Sequence, residues 1–154
     1  TAELFRISCF LPTIITDQNK KTQKIFNDFG FNFGMAFQLS DDVLDYFGDS
    51  SKMGKSVGKD FFEGKVTYPV IHCFKKSDKK SKKIIAKLFF KRKRSKKDLV
   101  VLLNLMKKTN TYKSSIEFVR KYAEKAKTNI NKFEGNKYKV YLDELVDHLI
   151  IRDK

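Results

Sequence analysis

The stretch Gly34-Met35-Ala36-Phe37-Gln38-Leu39-Ser40-Asp41-Asp42-Val43-Leu44-Asp45 reads as the polar edge of one long helix. At 100° per residue, Gly30, Gly34, Gln38, Asp41 and Asp45 fall within an arc of roughly 80°. Elsewhere the circumference is crowded with Ile25, Phe26, Phe29, Phe33, Met35, Phe37, Leu39, Val43, Leu44 and Phe47. A helix this apolar is buried on most sides, so its one exceptional stripe faces solvent or an internal cavity. The helix is expected from about Lys20 to Phe47, stopping at Gly48.

That stripe is unfavourable in isolation. Asp41 and Asp45 are a like-charge i,i+4 pair, which destabilises a helix. They also occupy the last two turns, where the macrodipole favours cations. Asp is a poor helix former besides. Local choices that conflict with the fold are expected at functional sites. A hard divalent cation resolves the conflict, because oxygen-only ligands without His or Cys suit Mg²⁺. A solvated acidic helix end is the simpler alternative for the carboxylates taken alone.

Downstream come Gly54-Lys55-x-x-Gly58-x-Asp60 and Gly64-Lys65-x-Thr67-x-Pro69. A glycine-bearing loop can lay backbone N–H groups against an anion, and lysines add point charges. Carboxylates that hold a metal, followed by lysines, make a composite site for a diphosphate. Two decoys fail. Between Gly48 and Gly54 lie five residues where a P-loop needs four, and an acidic helix precedes them instead of a strand. Counting from Asp45 as an EF-hand, the twelfth position is Ser56 instead of a bidentate Glu. His72, among Tyr68, Val70, Ile71 and Phe74, reads as a structural histidine.

Outward from this core, everything patterns as helix. A first helix spans 2–15, with Pro12 as a kink or early end. Thr16 and Asp17 are turn residues and possible N-caps for the long helix. Residues 49–63 are expected as a loop. Helices follow at about 65–76 (interrupted early by Pro69), 80–91, 96–108, 112–133 and 138–151, the last two parted by a Gly135-Asn136 turn. No strand, repeat or domain linker is evident. The expected class is an all-α bundle or part of one.

The 154 residues suit one domain or part of a larger one, and 41% of them are apolar. No apolar run approaches the ~20 residues needed to cross a bilayer. No basic, apolar, small-residue succession opens the chain, so no secretory leader is expected. Cys9 and Cys73 stand alone and read as buried small hydrophobes in a reducing, cytoplasmic setting, with a disulfide as the second alternative. The net charge of +15 and the runs Lys75-Lys76, Lys79-Lys80, Lys82-Lys83 and Lys91-Arg92-Lys93-Arg94 invite an anionic partner. However, 28 Lys and 5 Arg make up the 33 basic residues, and nucleic-acid recognition usually enlists the planar fork of Arg. A solvated basic face is the first reading, anionic lipid the second and nucleic acid the last. The chain opens on Thr1-Ala2-Glu3-Leu4-Phe5, without Met and inside a helix, which reads as part of a longer protein.

Taken as a set, Thr1-Ala2, Gly34 through Asp45, Gly54 through Asp60 and Gly64 through Pro69 resemble the trans-isoprenyl diphosphate synthases, or polyprenyl synthetases. The likeness covers residues 1 to about 75; past residue 80 only helical character agrees. It implies an isoprenoid-synthase helical bundle around a central active-site cavity, with residues 1–154 as the C-terminal part of a single domain. The N-terminal half, with the first aspartate-rich motif and the isopentenyl-binding basic residues, is absent from the sequence. So is the family's Lys before Thr1. The resemblance implies that Asp41, Asp42 and Asp45 bind Mg²⁺, with Asp41 the foremost direct ligand and Asp45 acting through water. Asp41, Asp42 and Lys55 then carry the catalysis, while Thr1, Gln38, Lys55 and Lys65 hold the allylic substrate and its diphosphate. Glu63-Gly64-Lys65-Val66-Thr67 leans towards the long-chain, octaprenyl-type enzymes that make quinone tails.

The implied reaction is Mg²⁺-dependent head-to-tail condensation of an allylic diphosphate with isopentenyl diphosphate, giving a polyprenyl diphosphate. Leaving-group charge is stabilised electrostatically, and the apolar stripe above the glycines shelters the growing chain from water. The family likeness also implies a homodimer when full length, membrane contact through the lipid product, and no nucleic-acid partner. Residues 1–154 alone are expected to be inactive, with the long helix leaving an apolar patch in water. Two other functions stay open. One is a non-catalytic subunit of a heteromeric prenyl synthase, against which the intact Asp41, Asp42, Asp45 and Lys55 argue. The other is a basic helical protein that engages nucleic acid or a membrane surface.

Overall fold

The computed structural model describes residues 1–48, 57–134 and 137–151. Its helices are α1 (Ala2–Ile15), α2 (Lys20–Phe47), α3 (Lys59–Glu63), α4 (Tyr68–Lys76), α5 (Lys79–Phe90), α6 (Lys96–Lys108), α7 (Thr111–Ile130) and α8 (Lys139–Ile151). Among the described residues there is no strand. The chain divides into two compact units, residues 1–40 with 117–154 and residues 41–116. The expected Gly135-Asn136 turn lies outside the described residues.

In the first unit, α1 crosses α2 at the two glycines of the stripe. A Cβ on Gly30 would stand 2.7 Å from the Phe5 carbonyl oxygen and 2.9 Å from Arg6 Cα. One on Gly34 would stand 2.8 Å from Ala2 Cα. These contacts involve backbone, which cannot step aside, so the absence of side chains is what lets the helices close. This corrects the expectation that the glycine end of the stripe faces solvent or an internal cavity: α1 fills that space. Phe29, Phe33, Ala36, Ala123, Ala126, Ile130, Val146 and Leu149 form the buried core here. Beside it an apolar cavity of about 410 Å³ opens between Cys9, Pro12, Phe26, Phe29, Phe133 and Leu142.

Helix α1 faces two ways. Phe5, Cys9 and Thr13 turn to the interior, whereas Leu4, Ile7, Leu11, Ile14 and Ile15 are exposed at 40–82%. The apolar patch expected on the long helix therefore lies on its neighbour. Pro12 does not end α1, which runs on to Ile15; its missing N–H forfeits one helix hydrogen bond. Thr16 is the C-cap of α1 and Asp17 takes φ 50°. The side chain that caps α2 is Asn19, whose Oδ1 accepts from the Thr22 N–H at 2.9 Å.

The second unit packs Tyr46, Phe61, Val70, Cys73, Ile85, Leu88, Leu99, Leu102, Leu105 and Met106 into one core. Its helices start where their sequence says they should. Pro69 sits in the first turn of α4, where a missing N–H is harmless, so it marks the start and does not interrupt the helix. Asp78 caps α5 by accepting from the Ser81 N–H at 2.7 Å. Ser95 and Asp98 form a reciprocal capping box on α6. His72 is half-buried, with Nδ1 3.3 Å from Thr111 Oγ1, and burial followed by the Lys76 charge lowers its pKa. That agrees with the structural reading. Cys9 and Cys73 are both free thiols.

Candidate metal and diphosphate site

The acidic residues of the site belong to the second unit and begin with the last two turns of α2. Helical phase separates their roles. Asp41 is exposed, while Asp42 shares the buried arc of Leu39, Val43 and Tyr46 and is only 8% exposed. Asp45 is half-buried and already engaged. Its Oδ2 accepts from the Asp60 N–H at 3.0 Å, and its carbonyl accepts from the Gly58 N–H at 2.7 Å. Asp45 thereby fastens the returning chain to the end of α2 and caps α3. Residues 59–63, expected as loop, are helical because that cap and two left-handed glycines define both ends: Gly58 at φ 84° and Gly64 at φ 79°.

Burial raises the pKa of the Asp45 carboxyl. The N–H donors of Asp60 and Lys59 oppose that rise, and the neighbouring carboxylates of Asp60 and Asp42 add to it. Tyr46 is pushed up by burial first and then by Asp45, Asp60 and Asp42. Thr67 stands near enough to oppose the shift, yet neither hydroxyl makes a well-formed hydrogen bond. Negative charge is therefore crowded at the end of α2. Among the described residues Lys65 reaches this cluster, with Nζ 2.7 Å from Glu63 Oε2 and 3.5 Å from Asp60 Oδ1. Its side chain is 59% exposed, so these pairs add little stability. What they do is hold an ammonium at the rim of the carboxylates.

One expectation about the loop changes. The N–H groups of Gly58, Gly64 and Lys65 already donate to Asp45, Phe61 and Asp60 carbonyls, so these amides do not cradle an anion. Gly64 instead makes room for Arg94, whose guanidinium nitrogens a Cβ would meet at 3.0 Å. Arg94 in turn donates to the Leu88, Phe89 and Phe62 carbonyls and lies over the Phe61 and Phe89 rings. Arg94 of the basic run is thus a structural clamp.

Of the residues singled out in the sequence, Asp41, Asp42, Asp45 and Lys65 share the second unit. Thr1 and Gln38 belong to the first, Thr1 as the exposed N-cap of α1 and Gln38 half-buried on α2. Gly54 and Lys55 lie outside the described residues. Asp60, quoted in the motif but given no role, is the residue that joins carboxylates to lysine; its signal was the Gly58-x-Asp60 spacing. Among the described residues no three His, Cys, Asp or Glu side chains converge into a metal cage. Mg²⁺ usually takes one or two carboxylates and fills its shell with water and phosphate. An exposed Asp41 beside a partly committed Asp45, all oxygen donors, fits such a half-shell.

Residues 1–106 match the model of the polyprenyl synthetase family. A geranylgeranyl pyrophosphate synthase from Geoglobus acetivorans is 31% identical over 153 residues, covering 99% of this chain and 46% of the relative. The crystal structure of a decaprenyl diphosphate synthase from Rhodobacter capsulatus superposes with a TM-score of 0.90 at 29% identity, over 100% of this chain and 47% of the other. A polyprenyl synthase from Caulobacter crescentus, solved with calcium and isoprenyl diphosphate, gives 0.86 at 29% identity, over 97% and 46%. The chain thus spans about half the length of the relatives it matches, and their products run from geranylgeranyl to decaprenyl. With its family model matched across most of its length and its helices superposing on solved members, the chain belongs to the polyprenyl synthetase family.

Proposed function

We propose that this chain is the C-terminal part of a trans-prenyltransferase domain, and that it binds Mg²⁺ and the diphosphate of an allylic substrate. The observation that carries the reading is the crowding of Asp42, Asp45 and Asp60 at one helix end, next to the exposed Asp41 and with Lys65 paired to Asp60. The Caulobacter relative, solved with calcium and isoprenyl diphosphate, supports a divalent cation and a prenyl diphosphate as partners. Asp41 and Asp45 would hold the ion, while enclosed Asp42 adds negative potential. When bound, Mg²⁺ supplies electrostatic stabilisation to the departing diphosphate.

The chain's own residues do the rest. Glu63 and Asp60 position Lys65 so that its ammonium can neutralise phosphate charge as the leaving group departs. Lys55, from the family motif, adds a second cation, and Thr1 and Gln38 contact the allylic substrate. The condensation partner is isopentenyl diphosphate and the product a polyprenyl diphosphate. The test is transfer of labelled isopentenyl units to an allylic diphosphate by the protein purified from its own coding sequence. Product formation should require Mg²⁺ and stop with chelator. In the same assay Lys55→Ala and Lys65→Ala should weaken the allylic diphosphate more than isopentenyl diphosphate. Equal losses for both substrates would count against a dedicated allylic site.

A further inference from the structure

The basic residues are not spread evenly over the molecule. Residues 68–108, the span of α4 to α6, hold fifteen Lys and Arg against two Asp, a net +13 of the chain's +15. The remaining residues carry eighteen basic against sixteen acidic groups and are close to neutral. A compositional drift towards lysine would have charged every surface. Here one excursion of the second unit has taken nearly all of it.

Helix α5 shows how that charge is displayed. Ile85 and Leu88 are buried at 2% and 5% exposure, fixing which side faces the core. Lys79, Lys83, Lys87 and Phe90 lie on the opposite side at offsets 0, 4, 8 and 11, within roughly 80° of arc. All four are exposed, and Phe90, at 88%, is the most exposed large hydrophobic residue described. Lys91 is paired with Asp98 at 2.6 Å and Arg94 is the clamp described above, but Arg92 and Lys93 are exposed in the loop between them. No ion pair engages Lys79, Lys83, Lys87, Arg92 or Lys93 among the described residues.

We propose that the outward face of α5, with Phe90 and the loop after it, is a docking surface for an anionic membrane. Clustered lysines are drawn to the negative surface potential of a leaflet. A bare phenyl ring among them gains by entering the headgroup boundary, which supplies the second signal that stable attachment needs. Thirteen of the fifteen basic residues in this span are Lys. Compact, mobile ammonium groups suit a diffuse lipid surface better than the bidentate base and phosphate recognition that enlists Arg. The proposal does not depend on the prenyl-transfer reading.

The test is flotation of the protein with vesicles of phosphatidylcholine alone or with phosphatidylglycerol added. Binding should require phosphatidylglycerol and fall with salt, and the triple variant Lys79→Gln, Lys83→Gln, Lys87→Gln should reduce it at least about tenfold. A control with equal charge loss, Lys20→Gln, Lys21→Gln, Lys121→Gln, should bind as the parent does. Residues 1–154 contain no Trp, so Phe90→Trp places an indole on this face, and the emission of the variant minus that of the parent should shift to the blue on phosphatidylglycerol vesicles only. Circular dichroism checks that each variant is folded. No binding to anionic vesicles, equal loss in the control, an unshifted emission, or preference for polyuridylate over vesicles would each overturn the proposal.

Discussion

The two ends of α2 put the same helical stripe to different use. At the upstream end Gly30 and Gly34 are bare so that α1 can lie against the backbone, with Cβ positions under 3 Å from its atoms. At the downstream end the stripe carries Asp41 and Asp45, where side chains are kept although their charges oppose the helix. Periodicity alone treats both ends alike. The difference is what each end of the stripe meets: a neighbouring backbone in one case, and in the other the turn of chain at Gly58 and Asp60, and solvent.

That contrast predicts opposite phenotypes. The largest effect should come from Asp41→Ala in the protein purified from its own coding sequence. Prenyl transfer should fall about a hundredfold or more, while circular dichroism and thermal unfolding stay at parent values. Turnover within threefold of the parent at saturating Mg²⁺ would remove Asp41 from the site. Gly30→Val should do the reverse. A new side chain against the Phe5 carbonyl destabilises by about 1–3 kcal/mol or more, read as a lower denaturant midpoint. If Gly30→Val unfolds like the parent, α1 does not lie where the close contact requires.

Asp45→Asn probes both behaviours at once. Asparagine can still accept from the Asp60 N–H, so α3 keeps its cap, but the charge crowded by Asp60 and Asp42 is gone. Because the folded-state pKa of Asp45 is raised, its ionised form opposes folding at neutral pH, and that penalty is relieved as pH falls through the raised value. The variant should therefore be no less stable than the parent at neutral pH, with the difference shrinking in acid, and should turn over more slowly. Lower stability at neutral pH would mean that the hydrogen bond outweighs the crowding.

The smallest effect lies away from the stripe, on α6. Asp98 is held down to about 2 by its Lys91 partner and by the Ser95 donors. Its contribution is present above the ordinary carboxylate pKa and is lost as pH falls towards about 2. Acid titration should show the parent's advantage over Asp98→Asn closing in that window. A gap that persists below it would point to another group.

Much of this was legible in the chain. The bounds of α1, α2 and α6 follow from apolar spacing and caps, and the all-helical class from the lack of any alternating run. The family was legible as a resemblance, carried by the order of carboxylates, glycines and lysines along the chain. What was not legible depends on three-dimensional neighbours. Spacing cannot say that Gly30 meets Phe5, that Asp45 spends an oxygen on the Asp60 amide, or that Gly64 yields space to Arg94. Asn19 was passed over as a cap because Thr16 and Asp17 offered the same chemistry a turn earlier. The exposed apolar row fell on α1 instead of α2, because α2 gains its neighbours from parts of the chain distant in sequence.

The most direct test of the central claim is calorimetric titration of the protein with a non-reacting allylic diphosphate analogue, with and without Mg²⁺. If the downstream stripe is a metal and diphosphate site, binding should appear only with Mg²⁺ and should vanish in Asp41→Ala while the variant remains folded. Equal binding without metal, or unchanged binding in Asp41→Ala, would contradict it.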